Sequence, residues 1–202
     1  MTNLLTDRLP HDVTIHGRRY KINTDFRLMI RLDMLLNDEV ETEDKADALL
    51  SLFGILLPDL ERMIVNASAD EIVKAVMDFC SDERSGRHDN DGEEPEERSH
   101  SFLHDSAYIY AAFMQAYHID LTRARLHWYQ FRALLAALPH DCLFSRIVGY
   151  RTTNLSDIPE GQRDFYRKMK RQYALSPSQS EQDRNDAIAA ALMNGGDLTG
   201  VL

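Results

Sequence analysis

The sequence predicts a mainly α-helical single domain of about six to eight helices preceded by a short N-terminal β-hairpin. Two observations carry that expectation. Apolar residues return at helical spacing in one segment after another, each bounded by Ser, Thr, Asp, Pro or Gly. A period of two is read around His16-Gly17. The chain has 202 residues, 44% hydrophobic and 28% charged, which suits one globular domain with room for a polar insertion.

Val13-Thr14-Ile15 and Tyr20-Lys21-Ile22 flank His16-Gly17, so a tight hairpin is expected with Gly17 at a positive-φ turn position. A lone hairpin is marginal, and Val13, Ile15, Tyr20 and Ile22 should therefore lean on the helices that follow. Asn23 or Thr24 is expected to cap the first helix, with Phe26, Met29, Ile30, Leu32, Leu35 and Leu36 as its stripe. A second helix opens after Thr42 with Glu43 and Asp44 in its first turn, presents Leu49, Leu50, Phe53 and Leu56, and stops at Pro58. Ser68-Ala69-Asp70-Glu71 has the spacing of a capping box and starts a third, which buries Ile72, Val76, Phe79 and Cys80.

Residues 81–101 carry no strongly apolar side chain, so they cannot bury enough surface to offset the cost of ordering. They read as an acidic flexible linker. Asp89, Asp91, Glu93 and Glu94 are closely spaced oxygen donors, but Pro95 and the missing flanking apolar helices argue against a calcium loop. The chain thus divides into the hairpin and first helices at 1–80, the linker at 81–101, an aromatic-rich helical core at 102–175, and a C-terminal helix and tail at 176–202.

In the core, Asp105 or Ser106 caps a helix through Tyr117 that is apolar nearly all round, and such a helix must be covered on every face. The next is expected over about 123–138, with Leu126, Trp128, Tyr129, Phe131, Leu134, Leu135 and Leu138, ended by Pro139. A short helix or turn with Cys142, Phe144, Ile147 and Val148 follows, closed by Gly149. Pro159 suits the first turn of another helix, with Phe165, Met169 and Tyr173 along one side and Arg163, Arg167, Lys168, Lys170 and Arg171 crowding the others. Ser180 caps a last helix containing Ile188 and Leu192, stopped by Gly195-Gly196.

A net charge of −10 opposes binding to a nucleic acid backbone, so no nucleic acid is expected as a partner. The apolar runs fall short of the ~20 residues that span a bilayer, so no membrane partner is expected either. With an N-terminus unlike a signal peptide, the expected location is cytoplasmic. Cys80 and Cys142 read as buried reduced thiols, not metal ligands. His100 and His104 stand four apart but lack a third ligand. His140-Asp141-Cys142 groups a thiol with a base, yet neighbours on a helix point in different directions. Phosphate loops and nucleophile elbows are missing. The expectation is therefore a protein that is no enzyme, with no cofactor, no metal and no catalytic residue.

Surplus aromatic surface points instead to protein contacts, because Tyr and Trp combine large area with a polar tip. Tyr110, Met114, Trp128 and Phe131 are the expected contact face. Arg167, Lys168, Lys170 and Arg171 add a basic surface for an acidic partner, including a neighbouring copy in a homo-oligomer.

Several stretches carry a resemblance: Ile22-Asn23-Thr24-Asp25-Phe26-Arg27, Ile119-Asp120-Leu121-Thr122, Leu126-His127-Trp128, residues 144–152 and Tyr166-Arg167-Lys168-Met169-Lys170. In these the chain resembles the bacteriophage tail-region family called gene product fifteen, over roughly two-thirds of its length. Members are encoded in the tail gene region of long-tailed phages and prophages, typically near the gene for the tape-measure protein. The resemblance implies a tail assembly chaperone with the tape-measure protein or other tail proteins as partners. A minor structural component of the tail or connector, located in the virion, is the alternative.

Overall fold

The computed structural model describes residues 3–37, 45–81 and 99–175. Expectations for the segment after Thr42, for most of the linker and for the helix after Ser180 lie outside these residues. Among the described residues there are eight α-helices and one antiparallel hairpin, a mainly α single domain as expected. No helix among them is long and apolar enough to cross a membrane.

The hairpin pairs β1 (Asp12–Ile15) with β2 (Arg18–Lys21), Val13 facing Tyr20 and Ile15 facing Arg18. Its turn needs two left-handed residues, and both His16 (φ 48°) and Gly17 (φ 74°) supply them. Val13, Ile15, Tyr20 and Ile22 are all buried, with β1 laid against a helix of the N-terminal half.

Helix α1 (Phe26–Leu36) begins one residue later than expected, with Asp25 as its cap accepting from the Arg27 N–H. Asn23 and Thr24 are engaged elsewhere: the Asn23 N–H donates to Leu56 O at 2.7 Å, and Thr24 O accepts from Trp128 N at 2.8 Å. Helix α2 (Lys45–Leu56) buries Leu52 and Leu56, while Leu50 is 65% exposed. Leu49, Phe53 and Leu56 lie on the inner side as expected, and only Leu50 turns outward, because apolar residues at 49, 50, 52 and 53 leave the edge of the stripe undefined. A one-turn helix α3 (Leu60–Ile64) after Pro58 was not anticipated. Helix α4 (Ala69–Cys80) starts with the predicted capping box, Ser68 N donating to Glu71 Oε2 at 2.9 Å and Glu71 N to Ser68 Oγ at 3.3 Å, and it is this helix that β1 meets.

Helix α5 (Ser106–Tyr117) buries Ile109, Ala112 and Phe113. It ends at His118, whose φ of 54° sends the chain into an Asx turn where Asp120 accepts from Thr122 N. That turn delays α6, which spans Trp128–Ala136 in place of the expected 123–138. Residues 120–127 instead fold back on the start of α1, where Asp25 and His127 form an isolated antiparallel bridge. Arg27 fixes this loop by donating to Leu121 O at 2.7 Å and Ala124 O at 2.9 Å.

Helix α7 (Leu143–Thr152) runs through Gly149, which is therefore no C-cap. After a 3-10 turn at Leu155–Asp157, α8 (Glu160–Gln172) packs on α7 and buries none of its residues completely. Its inner side is Tyr166, Met169 and Tyr173, with Tyr166 and Tyr173 against Tyr150 at 5.7 and 6.2 Å. Phe165, expected on that side, is 51% exposed.

Two buried polar centres tie these parts together. His127 caps α6 through Nδ1, which accepts from Tyr129 N at 3.1 Å. The ring proton must then sit on Nε2, which donates to Pro10 O at 2.8 Å. Burial, with His11 beside it, lowers the basicity of His127 despite the Pro10 bond. The folded state thus prefers the neutral ring, so stability is full above the ordinary histidine value of about 6.5 and falls as pH drops below it. Thermal melts between pH 8 and 5 should show this loss, and His127→Asn, which keeps a capping oxygen but does not titrate, should flatten the slope. An unchanged slope would exclude His127 as its source.

The second centre is Asp105 with Arg151, buried at 1% and 8% side-chain exposure. Arg151 Nη1 and Nη2 donate to the two carboxylate oxygens at 2.5 and 2.8 Å, and Nε donates to Tyr173 O at 2.6 Å. Asp105 also accepts from Ser101 N at 3.0 Å. Ser101, the last residue of the expected linker, is only 1% exposed.

Candidate functional site

A groove of about 1040 Å³ opens between α1, the end of α4, α6 and α7. Met29, Leu32 and Leu36 line it from α1 and Trp128 and Leu135 from α6, the two helices being joined at their starts by the Asp25–His127 bridge. Phe102, Phe144 and Val148 line it further along. Apolar walls of this kind suit an apolar helix or chain segment.

Two side chains of α6 at the groove tie it to the end of α4. The last carbonyl of α4, Cys80 O, accepts from Trp128 Nε1 at 3.0 Å and Arg132 Nη1 at 2.7 Å. An orphan carbonyl at a helix end is thereby satisfied by two side chains of α6. The Cys80 thiol lies 3.4 Å from Met29 Sδ, and burial pushes it up to about 12, so it stays protonated and is a poor nucleophile at neutral pH. Cys142 serves as the N-cap of α7, its sulfur accepting from Ser145 N at 3.5 Å, while His140 and Asp141 are exposed beside it. No group of three His, Cys, Asp or Glu suited to a metal is found among the described residues.

The expected contact residues separate into three places. Trp128 and Phe131 are inside, at 7% and 0% exposure. Phe131 stacks on Phe26 at 4.7 Å, on Phe113 at 5.3 Å and on Trp128 at 5.9 Å. Phe131 presents no face to a partner, and Trp128 reaches outward only at the groove wall. This is a correction with a simple cause: the start of α6 is the point where α1 and α5 converge, so its aromatics become core.

Tyr110 and Met114 remain outside on α5, at 37% and 38% exposure. They lie one turn apart on a helix without a single charged residue. Arg167, Lys168 and Arg171 are exposed on α8, Lys170 is half-buried, and Arg167 pairs with Asp164 at 2.5 Å. The groove itself was not legible in the sequence, since its walls come from four helices and each residue reads as ordinary core.

The stretches that carried the family resemblance are joined by this geometry. Residues 22–27 and 126–128 meet at the Asp25–His127 bridge, and residues 144–152 contain the buried Arg151. The family profile described as "Bacteriophage Gp15 protein" matches residues 5–175. No curated protein and no solved structure matches the chain.

Proposed function

The chain belongs to the bacteriophage Gp15 protein family, and from that premise we propose that it is a tail assembly chaperone, acting by binding and not by catalysis, whose client is the tape-measure protein. The observation that carries the proposal is the apolar groove between α1 and α6. A long helical client exposes apolar stripes before it is packaged, and a groove of this kind receives such a stripe through residues spaced at i, i+3, i+4 and i+7. The uncharged Tyr110 and Met114 face of α5 offers a second apolar surface. Binding would take place in the host cytoplasm, and the protein would leave as tube subunits assemble around the client.

Co-expression tests the reading. The tape-measure protein should become more soluble with this chain and co-purify with it. Ala133→Glu with Ala136→Glu, two exposed groove positions, should weaken that association roughly tenfold or more by placing charge against an apolar stripe, while the melting temperature stays near that of the parent. No association with the parent protein would overturn the proposal. Detection of the chain in purified virions by mass spectrometry would favour a minor structural role instead.

A further inference from the structure

Helix α8 carries a surface separate from the groove, since no α8 residue lines that space. We propose that the exposed side of α8 docks an acidic segment of another protein, whose carboxylates pair with Lys168 and Arg171 and whose aliphatic side chain packs on Phe165.

The charge of this helix runs against that of the chain. The protein carries a net charge of −10, yet α8 holds five basic residues against two acidic ones, and both acids, Glu160 and Asp164, lie in its first half. Most cations nearby are already engaged. Arg146 donates to Tyr150 Oη at 3.0 Å, Arg163 to Ile158 O at 2.9 Å, and Arg167 pairs with Asp164 at 2.5 Å. Arg151 is buried on Asp105. Lys168 and Arg171 are exposed and make no hydrogen bond or ion pair among the described residues, so their charge is left for a partner.

An apolar anchor stands beside them. Phe165 lies three residues before Lys168 and Arg171 three after it, so the three side chains follow one another along the exposed side of the helix. Of the phenylalanines in the chain Phe165 alone is exposed, at 51%. Its ring is nevertheless held, edge-on to Tyr150 at 6.0 Å and to Tyr166 at 5.8 Å. A fixed aromatic face rimmed by unpaired cations has the composition of a protein-binding hot spot.

Opposite charge draws an acidic segment to this face, whereas the rest of an acidic chain repels it. A phosphate backbone suits the face less. Extended nucleic acid sites use more cations than this pair, and Glu160 and Asp164 stand exposed on the same helix.

Fluorescence anisotropy at low ionic strength tests the proposal on the full chain, with a short labelled peptide of glutamates interrupted by leucines as the probe. The parent should bind it roughly tenfold more tightly than the same peptide with glutamine for glutamate, and more tightly than a labelled oligothymidylate of equal length. Lys168→Glu with Arg171→Glu should weaken binding roughly tenfold, because two exposed ion pairs become two repulsions. The melting temperature should stay near that of the parent, both side chains being exposed. Phe165→Ser should weaken binding several-fold at unchanged charge. Ala133→Glu with Ala136→Glu, at the groove, should leave peptide binding nearly unchanged, so the result is independent of co-expression with the tape-measure protein. No binding by the parent, equal affinity for the glutamine peptide, tighter binding of the oligothymidylate, binding that survives the two charge reversals, or an equal loss in the groove variant would each overturn the proposal.

Discussion

Arg151→Met is expected to lower the unfolding free energy by about 3–5 kcal/mol, because it leaves the Asp105 carboxylate buried without its counter-charge. The pair is 8% and 1% exposed, and the guanidinium also holds the carbonyls of Tyr173 and Ser99. Its loss therefore loosens the start of α5, the end of α7 and the end of α8 together. Asp105→Leu with Arg151→Met should recover much of the loss, since no uncompensated charge remains. Urea denaturation monitored by circular dichroism checks both, and a single substitution costing less than about 1 kcal/mol would show that the pair behaves like a surface one.

The same pair sets an acid limit on the fold. Burial on its own would push Asp105 up, but the Arg151 hydrogen bonds, the Ser101 N–H and the neighbouring positive charge outweigh it and hold the carboxyl below its ordinary range. A carboxyl depressed on folding contributes stability at pH values above its unfolded value of about 3.9, and that contribution is lost as pH falls through the folded value. The Arg151→Met chain should accordingly lose less stability than the parent on acidification below pH 4.

Phe131→Ala is the second large effect, expected at about 3–5 kcal/mol. The ring is wholly buried and stacks within 6 Å of three other aromatics contributed by α1, α5 and α6. Truncation removes all three contacts and leaves a cavity that the surrounding helices, themselves fixed by the Asp25–His127 bridge, can close only in part. Tyr110→Ala, on the outer face of α5, should change stability by less than about 1 kcal/mol. If Phe131→Ala were as mild as Tyr110→Ala in denaturant melts, the aromatic stack would not be the centre of the core.

Much of the fold was legible because its signals are local. The hairpin turn at His16-Gly17, the capping box at Ser68 and Glu71, and the alternation of Val13 and Ile15 each depend on residues within a few positions of one another. Where local signals competed, the reading slipped. The segment 123–138 reads as one helix because the Asx turn at Asp120 and the return of the chain to α1 have no periodic signature. In α2 the neighbouring apolar residues Leu49, Leu50, Leu52 and Phe53 gave no way to decide which side Leu50 faces.

The candidate site was less legible than the fold. Tyr110, Met114, Trp128 and Phe131 have similar apolar and aromatic character, and nothing local to them distinguishes the two outside from the two inside. Arg151 lay within the resemblance stretch 144–152 with no role assigned, since the partner that makes its burial tolerable lies 46 residues away. His127 belongs to the resemblance stretch Leu126-His127-Trp128, yet nothing in its spacing reveals that it caps α6 and holds Pro10.

By itself the sequence determined the helical class, the N-terminal hairpin, the capping at Ser68 and the family, because each of these rests on short-range spacing or on ordered motifs along the chain. Only the tertiary structure decided which aromatics form the core, which remain on the surface, and that four helices leave an apolar groove between them. Burial and concavity arise from the convergence of elements remote in sequence, and the spacing of residues within one helix does not encode where another helix will stop.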